Sequence, residues 1–318
     1  MKFIDSKTIS EATTIPEWIK ITEESIVASL ADEAQVPQRM HIDRGRDTFL
    51  LMPCLTDEYW TTKLVSFCPG NNGLGLPSIY GTVVLNSSST GEPLAVMDGS
   101  KLTALRTAAV SAVGIKYLAP ENARSLGIVG TGIQAVDQAR FACSVRDIKS
   151  LNIFDLSAKS MKNFIERFEP EFPGIRVTVC KNAESVCTDS EIIITATNST
   201  DPVFPDKKDL FAGKTFIGIG SYKPDSREYP DALIRNLDQI FTDTMHAMKE
   251  SGDLIYPVKS SLISSGCIYS LGSLIKGDIS LSDSTTRFFK TVGNAIFDLY
   301  GAKLIYEKLS VKSADIKL

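Results

Sequence analysis

The run Leu126-Gly127-Ile128-Val129-Gly130-Thr131-Gly132-Ile133-Gln134-Ala135 constrains this chain more than any other stretch. An apolar strand breaks into Gly-x-Gly-x-x-Ala and then opens a helix. In such a turn the first glycine allows the tight bend and the second lets the backbone approach a pyrophosphate. The small residue at the end keeps the helix against the sheet, and the helix N-terminus turns N–H groups and its positive dipole end toward the anion. A second apolar strand, Ser150 to Phe154, ends at Asp155, close to the ~20-residue offset of a carboxylate that accepts hydrogen bonds from an adenosine ribose. That acid repels a 2′-phosphate, and Leu156-Ser157-Ala158-Lys159 places no arginine beside it. NAD(H) is therefore favoured, and Lys159 keeps NADP(H) open as the second choice.

From Ser125 the chain alternates strand and helix. Strands are predicted at 126–129, 151–154, 177–180, 192–197, 216–219 and 239–242, which together read as a doubly wound parallel sheet of Rossmann type. Ahead of them, Ile19, Ile26, Val27 and Leu30 are spaced as on a helix over 16–30. Strand-like runs follow at 39–43, 48–55, 59–68, 79–85 and 93–97, giving an α+β module. A helix of small residues over 102–118 leads out of that module, and a last helix over 292–309 carries an apolar stripe expected to dock back onto it. The length of 318 residues suits two domains, with boundaries expected at 1–113 plus 293–318 and at 114–292.

Composition removes several function classes. The formal net charge is −4, and without a lysine or arginine block to neutralise phosphates, nucleic acid is not expected as a partner. The N-terminus Met1-Lys2-Phe3-Ile4-Asp5 has no apolar signal core. No apolar span reaches the ~18 residues of a membrane helix, so no membrane association is expected and the expected location is cytoplasmic. Six cysteines without a Cys-x-x-Cys pair and only two histidines read as reduced thiols and no metal site.

Three cations stand out. Arg39 begins a predicted strand, Lys63 interrupts the apolar strand Thr61-Thr62-Lys63-Leu64-Val65-Ser66, and Arg106 sits in the small-residue helix. A cation buried in such settings needs an anionic partner, either a substrate carboxylate or an internal Asp or Glu; the alternative is a side chain that snorkels to solvent. In the second domain, Ala196-Thr197-Asn198-Ser199 and Gly218-Ile219-Gly220-Ser221-Tyr222 follow predicted strands, at the sheet edge where α/β proteins bind ligands. Thr197, Asn198, Gly220, Ser221 and Tyr222 thus join Gly130, Gly132, Ile133, Gln134 and Asp155 as candidate cofactor contacts.

Several segments in order resemble the ornithine cyclodeaminase/mu-crystallin family: Lys63-Leu64-Val65 with Pro69-Gly70-Asn71, Gly75-Leu76-Pro77-Ser78, Gly91 to Gly99, Leu105 to Ala112, Gly127 to Gly132, Gly220 to Glu228, and Gly293 to Asp298. The likeness spans essentially the whole chain. It implies a homodimer whose substrate-binding and dimerisation domain combines the N-terminal module with the C-terminal helix, and a small amino-acid or imino-acid substrate. It also implies that Arg39, Lys63 and Arg106 hold the substrate carboxylate, that Lys63 and Arg106 act in catalysis, and that Ser78, Arg106 and Thr107 lie near the cofactor. One position departs from the family pattern: Tyr222 stands where ornithine cyclodeaminases and the related alanine dehydrogenases carry an aspartate, and tyrosine, with a pKa of about 10, is no general base near neutral pH. Pro224-Asp225-x-x-Glu228 is closer to mu-crystallin and the imine reductases. The function expected is NAD(P)H-dependent reduction of the C=N bond of a small cyclic imino acid. The alternatives are ornithine cyclodeamination with bound NAD, an alanine dehydrogenase-like reaction, and a mu-crystallin-like dinucleotide-dependent binding protein.

Overall fold

In a computed structural model, which describes residues 1–31 and 33–314, the strands form two sheets. The chain divides into two compact units, Met1–Arg106 with Asn294–Leu318 and Thr107–Gly293. Residues 315–318, the end of the segment 293–318 expected in the first domain, lie outside the described residues.

The first unit holds β1 (Lys2–Ile4), β2 (Met40–Arg44), β3 (Asp47–Leu55), β4 (Tyr59–Phe67), β5 (Ile79–Ser87) and β6 (Pro93–Asp98) in the order β1-β6-β5-β4-β3-β2. Only β1 runs parallel to its neighbour. Side chains alternate between the two faces of a sheet, so register decides what is buried. Met52 pairs with Lys63, Lys63 with Val83 and Val83 with Met97, which puts Lys63 in a row of buried apolar residues. Two helices, Ile15–Ala28 and Ala295–Ala314, pack with this unit. The first is started by a capping box between Thr14 and Glu17, with Pro16 in its opening turn. The second crosses it where Gly301 meets the Trp18 ring; a Cβ at Gly301 would lie 2.7 Å from that ring.

The second unit carries β7 (Ser125–Val129), β8 (Ser150–Phe154), β9 (Arg176–Val179), β10 (Ile192–Thr195), β11 (Thr215–Gly218), β12 (Ile240–Thr242), β13 (Ile268–Ser270) and β14 (Arg287–Lys290). All eight are parallel, in the order β13-β12-β14-β11-β10-β7-β8-β9. Parallel sheets are covered on both faces, and this explains the unbroken apolar run Ile192-Ile193-Ile194, all buried. Phe204, Phe211, Phe216, Tyr229 and Phe288 stack into an aromatic core beside it.

Each strand expected from the sequence is present, with ends shifted by at most two residues. Three further strands, β1, β13 and β14, are short, and β14 lies inside the sheet between β11 and β12. The last helix begins at Ala295 rather than at Val292. Val292 and Gly293 instead donate backbone N–H groups to Asp243, at 3.2 and 2.9 Å, and Gly293 takes a φ of 76°.

Candidate active site

The sheet of the second unit changes winding direction next to β7: β8 and β9 lie on one side of it and β10 on the other. Ligands of open α/β sheets bind at such a point, beyond the carboxyl ends of the strands. Gly130 follows β7 there with a φ of +92°, and a Cβ on it would meet the Ala196 carbonyl oxygen at 2.6 Å. Both facts require glycine. A Cβ on Gly132 would meet nothing within 4 Å, so the space over the turn is open. Asp155 ends β8 and accepts from Thr131 N at 2.7 Å and from Ser157 N at 2.8 Å. It thereby fixes the turn while keeping lone pairs for a further donor.

Ile133 is exposed, and Gln134 immediately precedes the Ala135–Val145 helix without a side-chain capping bond. The Gln134 Oε1 atom is buried with no hydrogen-bond partner among the described residues. Across the switch point, Thr197 follows β10, and Gly220 and Ser221 follow β11. A Cβ on Gly220 would lie 2.0 Å from the Thr197 carbonyl oxygen, so these two loops touch because residue 220 is glycine. Asn198 and Tyr222 are exposed, while Ser221 is buried with its Oγ 3.0 Å from Ser251 Oγ. Thr107 is buried in the Gly99–Leu118 helix. An open glycine turn, a carboxylate at the end of the second strand and an orphaned buried amide oxygen together fit a dinucleotide.

In the first unit Lys63 and Arg106 converge on a residue that sequence reasoning did not single out. Asp298 Oδ2 lies 2.8 Å from Lys63 Nζ, and Asp298 Oδ1 lies 3.2 Å from Arg106 Nε. Asp298 is fully buried, with Lys63 2 % and Arg106 7 % exposed. Lys63 also donates to Thr103 Oγ1 at 3.4 Å. Burial pushes the Lys63 ammonium down to about 8; Asp298 opposes this, while the Arg106 and Arg39 charges add to it. Arg39 is half-buried just ahead of β2, and Ser78 is half-buried ahead of β5 with its carbonyl accepting from Cys68 N at 2.7 Å. The only signals for Asp298 in the sequence were an acid inside an apolar helix and its place in the Gly293–Asp298 segment. Asp298 is the internal anion that Lys63 and Arg106 both face.

The profile of the ornithine cyclodeaminase/mu-crystallin family matches residues 2–313. The chain belongs to the ornithine cyclodeaminase/mu-crystallin family. Within this family it is 36% identical over 269 residues to a Δ1-pyrroline-2-carboxylate reductase of Bacillus cereus, covering 83% of this chain and 82% of that protein. Among solved structures of the family's fold, the Δ1-pyrroline-2-carboxylate reductase of Thermococcus litoralis, in complex with NADH and L-proline, superposes with a TM-score of 0.91 at 31% identity, over 98% of each chain. An archaeal alanine dehydrogenase dimer with bound NAD gives a TM-score of 0.90 at 28% identity, over 98% of this chain and 97% of that one. Among the described residues of this family member, no helix is long and apolar enough to cross a membrane.

Proposed function

We propose that this chain is an NADH-dependent reductase of the C=N bond of a small cyclic imino acid, Δ1-pyrroline-2-carboxylate or its six-membered homologue. The observation that carries the proposal is the charge balance around Asp298. Two buried cations, Lys63 and Arg106, face one buried carboxylate, so among these three described residues positive charge exceeds negative by one, which an anion from outside the chain would balance. A substrate carboxylate is that anion, and the named substrates of the similar reductases carry one. Arg106 offers the planar fork that matches a carboxylate, and Arg39 adds a second guanidinium.

When bound, the dihydronicotinamide supplies the hydride that reduces the imine carbon. The chain's own residues handle the carboxylate and the proton. Lys63 Nζ carries three N–H groups and meets Asp298 and Thr103 within the unit, so the third is free to donate toward the imine nitrogen. An iminium accepts hydride more readily than a neutral imine, and the Lys63 ammonium gives its proton to that nitrogen as the hydride arrives, leaving a neutral lysine amine and a reduced ring N–H. Asp298 orients the ammonium. Positioning and charge stabilisation of this kind account for most of the rate in such a site. Cofactor contacts are assigned to Gly130, Gly132, Ile133, Gln134, Asp155, Thr197, Asn198, Gly220, Ser221 and Tyr222, and the family resemblance adds Ser78, Arg106 and Thr107. The Asp155 carboxylate sets the preference for NADH over NADPH.

The same reading includes a homodimer. One face of the first unit's sheet exposes Met40, Ile42, Trp60, Leu64 and Tyr80, and register places these side chains on the face opposite Lys63. Exposed apolar side chains grouped on one sheet face support this reading. The six cysteines are free thiols, which fits a reducing cytoplasm. The deciding experiment incubates purified protein with each cyclic imino acid and NADH, following loss of the reduced cofactor and formation of proline or its homologue. No turnover with either ring size overturns the proposal.

A further inference from the structure

Beside the crevice of the second unit lies a buried ionic cluster to which the mechanism assigns no work. Glu228, Asp253 and Lys290 are all at most 1 % exposed. Lys290 Nζ lies 3.2 Å from Asp253 Oδ2 and 4.0 Å from Glu228 Oε2. Asp253 Oδ1 in turn accepts from the backbone N–H groups of Glu228 and Tyr229 at 2.8 and 3.1 Å, which locks the peptide that carries Glu228. A carboxylate this deep is tolerated only when its lone pairs are filled.

The donors that fill them come from two loops and one strand end. Glu228 Oε1 accepts from Thr197 N at 2.8 Å and Thr197 Oγ1 at 2.7 Å. Its Oε2 accepts from Thr195 Oγ1 at 2.8 Å, Gly220 N at 2.9 Å and Ser221 N at 3.3 Å. One side chain therefore ties the loop after β10 to the loop after β11. The tie is close: a Cβ on Gly220 would lie 2.5 Å from Glu228 Oε1 as well as 2.0 Å from the Thr197 carbonyl. Both loops belong to the half of the doubly wound sheet that begins with β10. The turn at Gly130 to Gly132 and the Asp155 carboxylate belong to the other half, with β7 and β8. In such a sheet each half holds one mononucleotide.

We infer that Glu228 is a positioning residue for the cofactor, holding the Thr197 and Gly220 loops in the one arrangement that accepts the nicotinamide mononucleotide half, with no direct part in holding the adenosine half. The inference rests on the dinucleotide reading of the crevice proposed above. Glu228→Gln keeps the volume but turns an amide NH2 group toward at least two of the five donors. Glu228→Asp keeps the charge but is one methylene too short to reach both loops.

The test measures binding of NADH and of AMP to the full chain by calorimetry, together with amide hydrogen exchange of the protein without nucleotide. Both variants are expected to weaken NADH at least about tenfold, the effect of one lost hydrogen bond to a charged group, and to leave AMP within about twofold. Exchange is expected to speed up at Thr197, Gly220 and Ser221 and to stay unchanged at Thr131. Equal weakening of NADH and AMP with faster exchange throughout the unit overturns the inference in favour of a global structural role, and so does unaltered NADH affinity in a folded variant. If neither variant folds, Thr195→Val removes one donor from the same carboxylate and reads the same NADH-to-AMP split at smaller amplitude; an absent split overturns the inference there too. Wild-type protein that binds no NADH would sink the dinucleotide reading instead, and exchange at Thr197 and Gly220 would still decide whether Glu228 ties the two loops.

Discussion

Asp298 Oδ2 stands 2.8 Å from Lys63 Nζ in the interior of the first unit, with neither side chain more than 2 % exposed. A helix near the end of the chain thus supplies the counter-ion for a strand near its start. The pair makes Lys63 an oriented ammonium rather than a mobile one. Lys63→Met removes the cation at nearly constant length. On the reductase mechanism proposed here, it should lower kcat by about a hundredfold or more, the scale of a lost proton donor. KM should rise as well, since the same N–H helps hold the substrate. Steady-state kinetics on protein of unchanged fold checks this, and a rise in KM alone would restrict Lys63 to ground-state binding.

The depressed Lys63 ammonium, at about 8, sets opposite pH trends for activity and stability. Reduction needs the protonated form, so kcat/KM should fall as pH rises through about 8. In the unfolded chain the same group titrates near the ordinary lysine value of 10.5, so between about 8 and 10.5 the unfolded state binds more protons than the folded one. Across that window the Lys63 contribution to stability therefore rises with pH. The pH–rate profile and denaturant unfolding at matched pH values test both signs, and Lys63→Met should flatten the alkaline limb of each.

Arg106 separates charge from shape. Arg106→Lys keeps the cation but loses the fork that meets a carboxylate in two places. A hydrogen bond to a charged group is worth ~1.5–3 kcal/mol, so kcat/KM should drop on the order of ten- to hundredfold, with a matching loss of affinity for L-proline as a product ligand. Wild-type efficiency in this variant would remove Arg106 from the substrate site.

Asp155 tests cofactor choice. Asp155→Ser removes both the acceptor for a ribose hydroxyl and the repulsion of a 2′-phosphate. The ratio of NADPH to NADH affinity should rise about tenfold or more, read by direct binding of each cofactor. Some general weakening accompanies it, because Thr131 N and Ser157 N lose their acceptor. An unchanged ratio would move the ribose contact elsewhere.

The parts of this molecule that were legible in the sequence are those with local patterns. The Gly130-x-Gly132 turn, the Asp155 strand end and the unbroken apolar strands of the second unit follow from neighbours in the chain. Lys63 and Arg106 were visible because each sits in a setting that does not suit an exposed cation. Asp298 and Glu228 were not legible as partners, because no periodicity says which remote acid will face Lys63 or which carboxylate will collect the N–H groups of Thr197 and Gly220. The strand β14 escaped for a different reason. Arg287-Phe288-Phe289-Lys290 is four residues with a charge at each end, and it becomes a buried strand only because Asp253 and Glu228 lie near Lys290 and Ser282 accepts hydrogen bonds from Arg287.

Gly130 and Gly132 should respond to the same substitution in different ways. Gly130→Ala forces a side chain onto a backbone with φ of +92° and onto the Ala196 carbonyl at 2.6 Å. Backbone strain of this kind costs about 1–3 kcal/mol before the steric overlap is counted, so the variant should lose thermal stability even without nucleotide. Gly132→Ala meets nothing within 4 Å and no left-handed φ, so its melting temperature without nucleotide should match the wild type. The added methyl then occupies space over the turn that the pyrophosphate needs, and NADH affinity should fall about tenfold or more, the cost of losing close backbone contact to the phosphate. Thermal unfolding with and without NADH distinguishes the two: the wild type gains stability from the cofactor by mass action, and Gly132→Ala should show most of that gain lost. A Gly132→Ala protein stabilised by NADH as strongly as the wild type would place the pyrophosphate away from this turn.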